Sequence, residues 1–149
     1  MIRSVLVAGA LLLGVSAVAA QQELVKQGQA LMKANGKNLG GVLSPMARGD
    51  KPYDQAAVDA ALAQLDETAK KLPTLFPDSV KGLKADGDYS ASAKIWEDKA
   101  GFAASIATFA KAVTDAKGSI KDLDTLKATL PGIGKSCSGC HETFRVKNS

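Results

Sequence analysis

The last part of the sequence carries an apolar stripe whose spacing leaves little choice of fold. Steps of three and four residues separate its members, which are Leu123, Leu126, Leu130, Ile133, Cys137, Cys140 and Phe144. This spacing puts every member on one face of an α-helix, the face that packs against neighbours in a bundle. Pro131 and Gly132 interrupt the pattern, so we expect a kink or a fresh helix start there. Both cysteines lie on the buried face.

Three further stretches have helical periodicity, and the composition favours helix over strand. The chain is rich in Ala, Leu, Lys and Asp and poor in β-branched and aromatic runs. We expect helices over residues 22–43, from about Tyr53-Asp54, and after Ser90 or Ser92. Their apolar positions include Leu24, Leu31 and Leu39, then Val58, Ala61, Leu62, Leu65, Ala69 and Leu72, then Ile95, Phe102, Ile106, Phe109 and Val113. Four such helices predict an all-α, antiparallel four-helix bundle, which commonly builds cofactor sites between facing helices.

Turn-forming residues separate the expected helices. Ser44-Pro45 and residues 48–52 are expected to form a loop, after which Asp54 is placed to cap the second helix. A long connection follows that helix and contains Pro73, Pro77, Gly82 and Gly87.

The first helix is unusually rich in glycine, with Gly28, Gly36, Gly40 and Gly41. Each glycine costs about 1 kcal/mol relative to alanine in a helix interior. Two interpretations remain open: the helix is frayed or broken, or the glycines allow the close approach of a flat, bulky group.

Residues 1–20 have the pattern of an export signal. A short basic start precedes an apolar run over residues 5–18, and the small residues 17–20 predict cleavage before Gln21. A membrane anchor is the weaker interpretation, because the run is shorter than the roughly twenty residues of a span. We therefore expect the mature chain, residues 21–149, to be one periplasmic domain without a membrane anchor.

The charge balance argues against a nucleic-acid partner. The chain has 19 Lys and Arg against 15 Asp and Glu, a formal net charge of +4. Loss of Arg3 with the signal lowers this charge to about +3. Charges of both signs alternate along most of the chain, as on a solvated surface. A basic patch that docks an acidic protein stays open.

Cys137, Cys140 and His141 form a Cys-x-x-Cys-His sequence, the attachment signature of c-type haem. Residues three apart lie on one face of a helix, so both sulfurs can reach the two vinyl groups along one porphyrin edge. The imidazole of His141 can then bind the iron as proximal ligand. Ser138 and Gly139 are small and leave room for the macrocycle. The motif predicts one covalently bound haem c per chain.

Other uses of these residues are weaker. A disulfide across a two-residue gap would constrain the chain very little. A structural zinc site wants four Cys or His ligands, and the mature chain has three. A thioredoxin-like cysteine pair belongs to a βαβ unit, and no strand pattern is visible.

The sequence resembles the class II cytochromes c, that is, cytochrome c′ and its low-spin, methionine-ligated relatives. The resemblance covers nearly the whole mature chain and lies in residues 137–145, Lys51-Pro52-Tyr53-Asp54, Ile95-Trp96 and Gln29-Ala30-Leu31-Met32. The C-terminal position of the haem motif supports it, because class I cytochromes c carry the motif near the N-terminus. The resemblance implies the four-helix bundle and a distal haem residue at Met32.

Two roles are open for Met32. The resemblance implies that Met32 ligates iron in a low-spin protein, whereas in high-spin cytochrome c′ an apolar residue only packs over the iron, as methionine often does in cores. Cytochrome c′ usually has Arg-Gln one turn before the distal residue. This chain has Gly28-Gln29, with Lys26 as an uncertain substitute, which favours Met32 as the ligand. His141 is the only histidine, and Met46, in the expected loop, is assigned to packing.

These features predict an electron carrier and not an enzyme. Thioether ligation favours ferrous iron and raises the reduction potential. The alternative is a high-spin, five-coordinate cytochrome c′ that binds nitric oxide or carbon monoxide. Peroxidase-like catalysis would need a distal acid–base group such as a second histidine.

The expected partners are redox proteins that dock where a haem edge is exposed near Cys140, and the chain is expected to be a monomer or a homodimer. Phe102, Phe144 and Trp96 are candidates for the haem wall, although ordinary core packing explains Trp96 and Phe109 at least as well.

Overall fold

The computed structural model describes residues 6–148, with side chains from residue 17 onward. In chain order its helices are α1 (Leu6–Asn38), α2 (Ser44–Arg48), α3 (Gln55–Lys71), α4 (Lys94–Glu97), α5 (Lys99–Ser119) and α6 (Leu123–Phe144). Two short strands are β1 (Tyr89–Ala91) and β2 (Arg145–Lys147). Residues 1–5 of the predicted signal peptide lie outside the described residues.

The long helices α1, α3, α5 and α6 form the predicted four-helix bundle. α3 packs against α1 and α5, and α5 packs against α6. The fully buried side chains of the shared core include Leu43, Val58, Leu62, Leu65, Val113, Ile120, Leu126 and Ile133. Burial of one such side chain contributes about 1.5–3 kcal/mol, so this core fixes the helices relative to one another. Within residues 6–148, no helix has both the length and the apolar character needed to cross a membrane.

The chain does not leave the helical conformation at Ser44, contrary to the expectation from sequence. α1 is followed by one π-helical turn, Leu39–Leu43, and then directly by α2. The predicted loop at Ser44-Pro45 is therefore wrong. Pro45 lies in the first turn of α2, directly after the π-helical turn. The carbonyl of Gly41, four residues earlier, accepts a hydrogen bond from the Lys51 ammonium at 3.0 Å in place of the N–H that proline lacks. The loop begins instead at Gly49, whose φ of 82° is a left-handed conformation that suits glycine.

The second predicted helix is confirmed as α3. The carboxylate of Asp54 accepts a hydrogen bond from the backbone N–H of Ala57 at 3.1 Å, as an N-cap does. Every predicted apolar position of this stretch is buried, namely Val58, Ala61, Leu62, Leu65, Ala69 and Leu72.

The long connection after α3 contains a strand that the sequence did not indicate. β1 pairs with β2 in antiparallel register, with Ser90 opposite Val146. Three residues are too few to show the alternation of a strand, and the pairing joins segments that are distant in sequence. The ladder fastens the end of the chain beside the connection.

The third predicted helix is divided in two at Asp98. The carboxylate of Asp98 accepts a hydrogen bond from the N–H of Gly101 at 2.8 Å and so caps α5. A Cβ at position 101 would overlap this carboxylate, which explains the glycine. The short α4 precedes the break.

The last helix runs through Pro131 and Gly132 without a new start. α6 begins with a capping box, in which the Asp122 carboxylate accepts from Thr125 N–H (2.8 Å) and the Thr125 hydroxyl accepts from Asp122 N–H (3.1 Å). Pro131 is exposed and removes a single hydrogen bond from an otherwise well-packed helix, so the expected fresh start is not observed.

Candidate functional site

α6 carries Cys137, Cys140 and His141 near its C-terminal end. All three side chains are half-buried, and they continue the stripe whose buried members are Leu126, Ile133 and Phe144. Packing of those three residues in the bundle fixes the rotation of α6 about its axis. The two thiols and the imidazole therefore face the same cavity.

Burial shifts the pKa of each of these groups. Burial raises the pKa of the Cys137 thiol, and burial together with the neighbouring Cys137 raises the pKa of Cys140. Burial, and then the positive charge of Arg145, lower the pKa of the His141 imidazole. At neutral pH, His141 therefore has a ring nitrogen lone pair free to bind a metal. Neither cysteine takes part in a disulfide.

A cavity of about 680 Å³ lies between α1, α5, α6 and the connection that follows α3. This volume falls within the range of about 300–1,000 Å³ typical of ligand pockets. Most of its lining is apolar. Met32 lines it from α1, so the structure brings together all four residues predicted for the site.

Of the other residues that the sequence analysis named in this part of the chain, some line the cavity and some do not. Gly28 and Gly36 line the cavity, and a Cβ at either position would meet no atom within 4 Å, so the space beside them is open. Gly40 and Gly41 are exposed in the π-helical turn and do not line it. Met46 is buried in the core and is outside the cavity lining, which confirms its packing role, although it lies in α2 and not in a loop.

A row of aromatic rings forms one wall of the cavity. Phe102 stacks edge-to-face with Phe144 and with Phe76, at centroid distances of 5.2 and 5.3 Å, and Phe76 contacts Trp96 at 6.4 Å. The indole N–H of Trp96 donates to the carbonyl of Phe76 at 3.1 Å. The three predicted wall aromatics are thus cavity residues, and so is Phe109. Phe76 was missed, although a phenylalanine between Leu75 and Pro77 in a turn-rich segment is a sign of a buried anchor.

Several polar cavity residues were also missed by sequence reasoning. Residues 83–91 contribute most of their length to the lining, and Arg145 lies over the ring of Tyr89 at 4.2 Å from its centroid. Asn35, one turn after Met32, also lines the cavity. No local sequence signal identifies these residues, because their positions depend on the β1–β2 pairing and on helix packing.

The residues present fit a covalently bound haem. Two thiols three residues apart and an adjacent neutral imidazole face a predominantly apolar cavity, which is the donor set and environment that haem c requires. Within the described residues, no cluster of three or more His, Cys, Asp or Glu side chains could hold a metal ion. The fold and the site together define a four-helix-bundle cytochrome of the c type.

Comparison with known proteins identifies the family. A family model described as Cytochrome C′ matches residues 23–145. The chain is 64% identical to cytochrome c-556 of Rhodopseudomonas palustris and 40% identical to cytochrome c′ of the same organism, in each case over 99% of both chains. An NMR-validated structural model of oxidised R. palustris cytochrome c556 superposes with a TM-score of 0.74 at 63% identity, covering 86% of this chain and 99% of that one.

The chain belongs to the cytochrome c′ family, the class II cytochromes c. It is a haem c cytochrome with one covalently attached haem per chain.

Proposed function

We propose that this protein is a periplasmic carrier of single electrons, with haem attached through Cys137 and Cys140 and iron bound by His141 and Met32. The observation that carries the proposal is the shared cavity, which receives two thiols and an imidazole from α6 and a thioether from α1. When bound, the haem supplies the one-electron chemistry.

The residues of this chain would fix the position of the cofactor and shield it from solvent. Cys137 and Cys140 fasten it to α6, and neutral His141 binds from the same helix. Met32 belongs to α1, which packs in the same bundle, so both residues that would bind the iron lie on helices of the bundle. The predominantly apolar lining, which includes the aromatic row, would shield a bound haem from water.

Two observations favour Met32 as a ligand over Met32 as packing. The arginine that cytochrome c′ usually has one turn before the distal residue is replaced by Gly28. The chain also shares 64% identity with a protein named cytochrome c-556, against 40% with one named cytochrome c′. Both support the proposal that Met32 is an iron ligand.

Visible spectra of wild type and Met32→Ala, each in both redox states, test the proposal. We expect a low-spin spectrum for the ferric wild type and a high-spin spectrum for the variant. Carbon monoxide should change the reduced variant strongly and the reduced wild type very little. Met46→Leu is the matched control, because Met46 packs in the core outside the cavity and the exchange of Met for Leu is well tolerated.

Identical spectra for Met32→Ala and wild type would remove Met32 from the ligand set. A high-spin wild type that binds carbon monoxide would instead favour the gas-binding cytochrome c′ alternative.

Export and partners complete the proposal. Residues 1–20 would be removed as a signal peptide, leaving the single haem-binding domain of residues 21–149 to exchange electrons with redox proteins in the periplasm. Mass spectrometry of the purified protein should then give the mass of a chain that begins at Gln21, plus one haem.

A further inference from the structure

One side of the cavity is formed by a segment that makes few hydrogen bonds to the bundle helices. Residues 83–91, called the wall loop here, line the cavity over most of their length. Within residues 6–148, the wall loop has one hydrogen bond to a helix of the bundle. In this bond the side-chain amide of Gln29 in α1 donates to the carbonyl of Asp86. A segment held so weakly by the bundle would open readily by local unfolding.

The C-terminal tail, residues 145–148, supplies the remaining attachments. β2 pairs with β1 along the wall loop. Asn148 then binds the loop through both its backbone and its side chain. Its N–H donates to the carbonyl of Asp88 (2.8 Å), and its side-chain amide donates to the carbonyls of Gly87 (2.6 Å) and Ala85 (3.2 Å).

Ser90 lies at the centre of this network. Its buried hydroxyl donates to the amide oxygen of Asn148 at 2.7 Å and accepts from the N–H of Ala85 at 3.0 Å. The Ser90 side chain thus connects two positions of the wall loop with each other and with the tail. A two-stranded ladder alone is only marginally stable, so the hydrogen bonds of Asn148 add stability to the pairing of these three-residue strands.

The tail is the direct continuation of α6, the helix that carries Cys137, Cys140 and His141. Arg145 at its start packs on the ring of Tyr89 in the wall loop, a cation–π contact. The tail therefore connects the wall loop to the helix that bears the attachment residues.

We propose that residues 145–148 act as a clasp that holds the wall loop in place as one side of the haem cavity, with Asn148 as the positioning residue. The clasp restricts the access of water and small oxidants to the cofactor. This inference rests on the haem attachment proposed above.

The experiment compares holoprotein carrying Asn148→Ala with wild type by two measurements. Hydrogen–deuterium exchange of residues 83–91 reports opening of the loop, and the loss of haem absorbance in excess hydrogen peroxide reports access to the cofactor. We expect both rates to rise in the variant, with exchange roughly tenfold faster, because all three hydrogen bonds of the Asn148 side chain are lost and each contributes only modestly to stability.

Lys147→Ala is the matched control, because it removes the neighbouring exposed side chain and keeps the backbone ladder. Both of its rates should equal those of wild type. Ser90→Ala, which removes the other half of the network, should reproduce the effect of Asn148→Ala.

Unchanged exchange in Asn148→Ala would overturn the clasp. Faster exchange with an unchanged rate of haem loss would overturn its guarding role, because the loop would then open without exposing the cofactor. Wild type that lacks covalent haem by mass would overturn the attachment proposal itself, and the guarding role with it.

Discussion

At the scale of single residues, a buried polar contact sets the position of the helix that carries Met32. The hydroxyl of Thr68 in α3 donates to the side-chain oxygen of Asn35 in α1 at 2.9 Å, and Gln64 donates to the same hydroxyl at 3.0 Å. Thr68 is fully buried, and Asn35 is 7% exposed. Since Asn35 follows Met32 by one turn, this contact fixes the rotation of α1 and the direction of the thioether.

Thr68→Val tests the contact. The substitution keeps the shape of the side chain and leaves the Asn35 carboxamide without its donor in a buried setting, which costs about 1–3 kcal/mol. Urea unfolding of the holoprotein measures the loss. Thr108→Val is the control, because Thr108 is exposed and its hydroxyl donates to the carbonyl of Ala104 in its own helix. Equal losses in the two variants would show that the Asn35 contact contributes nothing.

At the scale of secondary structure, the start of α3 depends on a single cap. Asp54→Ala removes the acceptor for the N–H of Ala57 and should lower the free energy of unfolding by about 1 kcal/mol. Asp54→Ser keeps a capping oxygen and should stay close to wild type. Thermal unfolding of the three proteins checks both expectations, and a Ser variant as unstable as the Ala variant would contradict the capping role.

The elements that the sequence predicted well are those whose stability is local or periodic. Asp54 and the stripe of α3 are identifiable because a cap and a buried face each leave a fixed spacing in the sequence. The helical continuation through Ser44, the break at Asp98 and the β1–β2 ladder were missed. Residue spacing encodes none of their causes. Pro45 is accepted in the first turn of α2, the Asp98 carboxylate caps α5 at Gly101, and β1 pairs with a strand that is distant in sequence.

At the scale of the whole molecule, Asp66 links two helices of the bundle. Its carboxylate bonds Lys70 in its own helix α3 at 2.8 Å and Lys117 of α5 at 2.9 Å. The hydrogen bond from Lys70, followed by that from Lys117, holds the pKa of Asp66 below its ordinary value of 3.8. Because the folded pKa is the lower one, this stabilisation is complete above the unfolded value and is lost as pH falls through the folded pKa.

Asp66→Asn should therefore lower stability at neutral pH by about 0.5–1 kcal/mol, and its difference from wild type should shrink on acidification below pH 3.8. Urea unfolding at neutral and at acidic pH measures this. Glu67→Gln, which removes an ion pair with Lys71 within α3 alone, is the control and should cost less. A deficit that stayed constant with pH would contradict the ionic origin.

The candidate site shows the same division between local and long-range information. Cys137, Cys140 and His141 were identified from the motif, and Met32 from the family resemblance, and all four line the cavity. Asn35, Tyr89 and Arg145 were not identified, because each reaches the cavity through packing between segments that are distant in sequence.

The position of Trp96 has a practical consequence. It is the only tryptophan in the chain, and its ring lines the cavity with its N–H fixed by the carbonyl of Phe76. A haem bound in that cavity would absorb the energy of the excited indole before it could be emitted. The tryptophan fluorescence of the folded holoprotein would therefore be almost completely quenched. Recovery of the emission would report that Trp96 has moved away from the cofactor, without any added label.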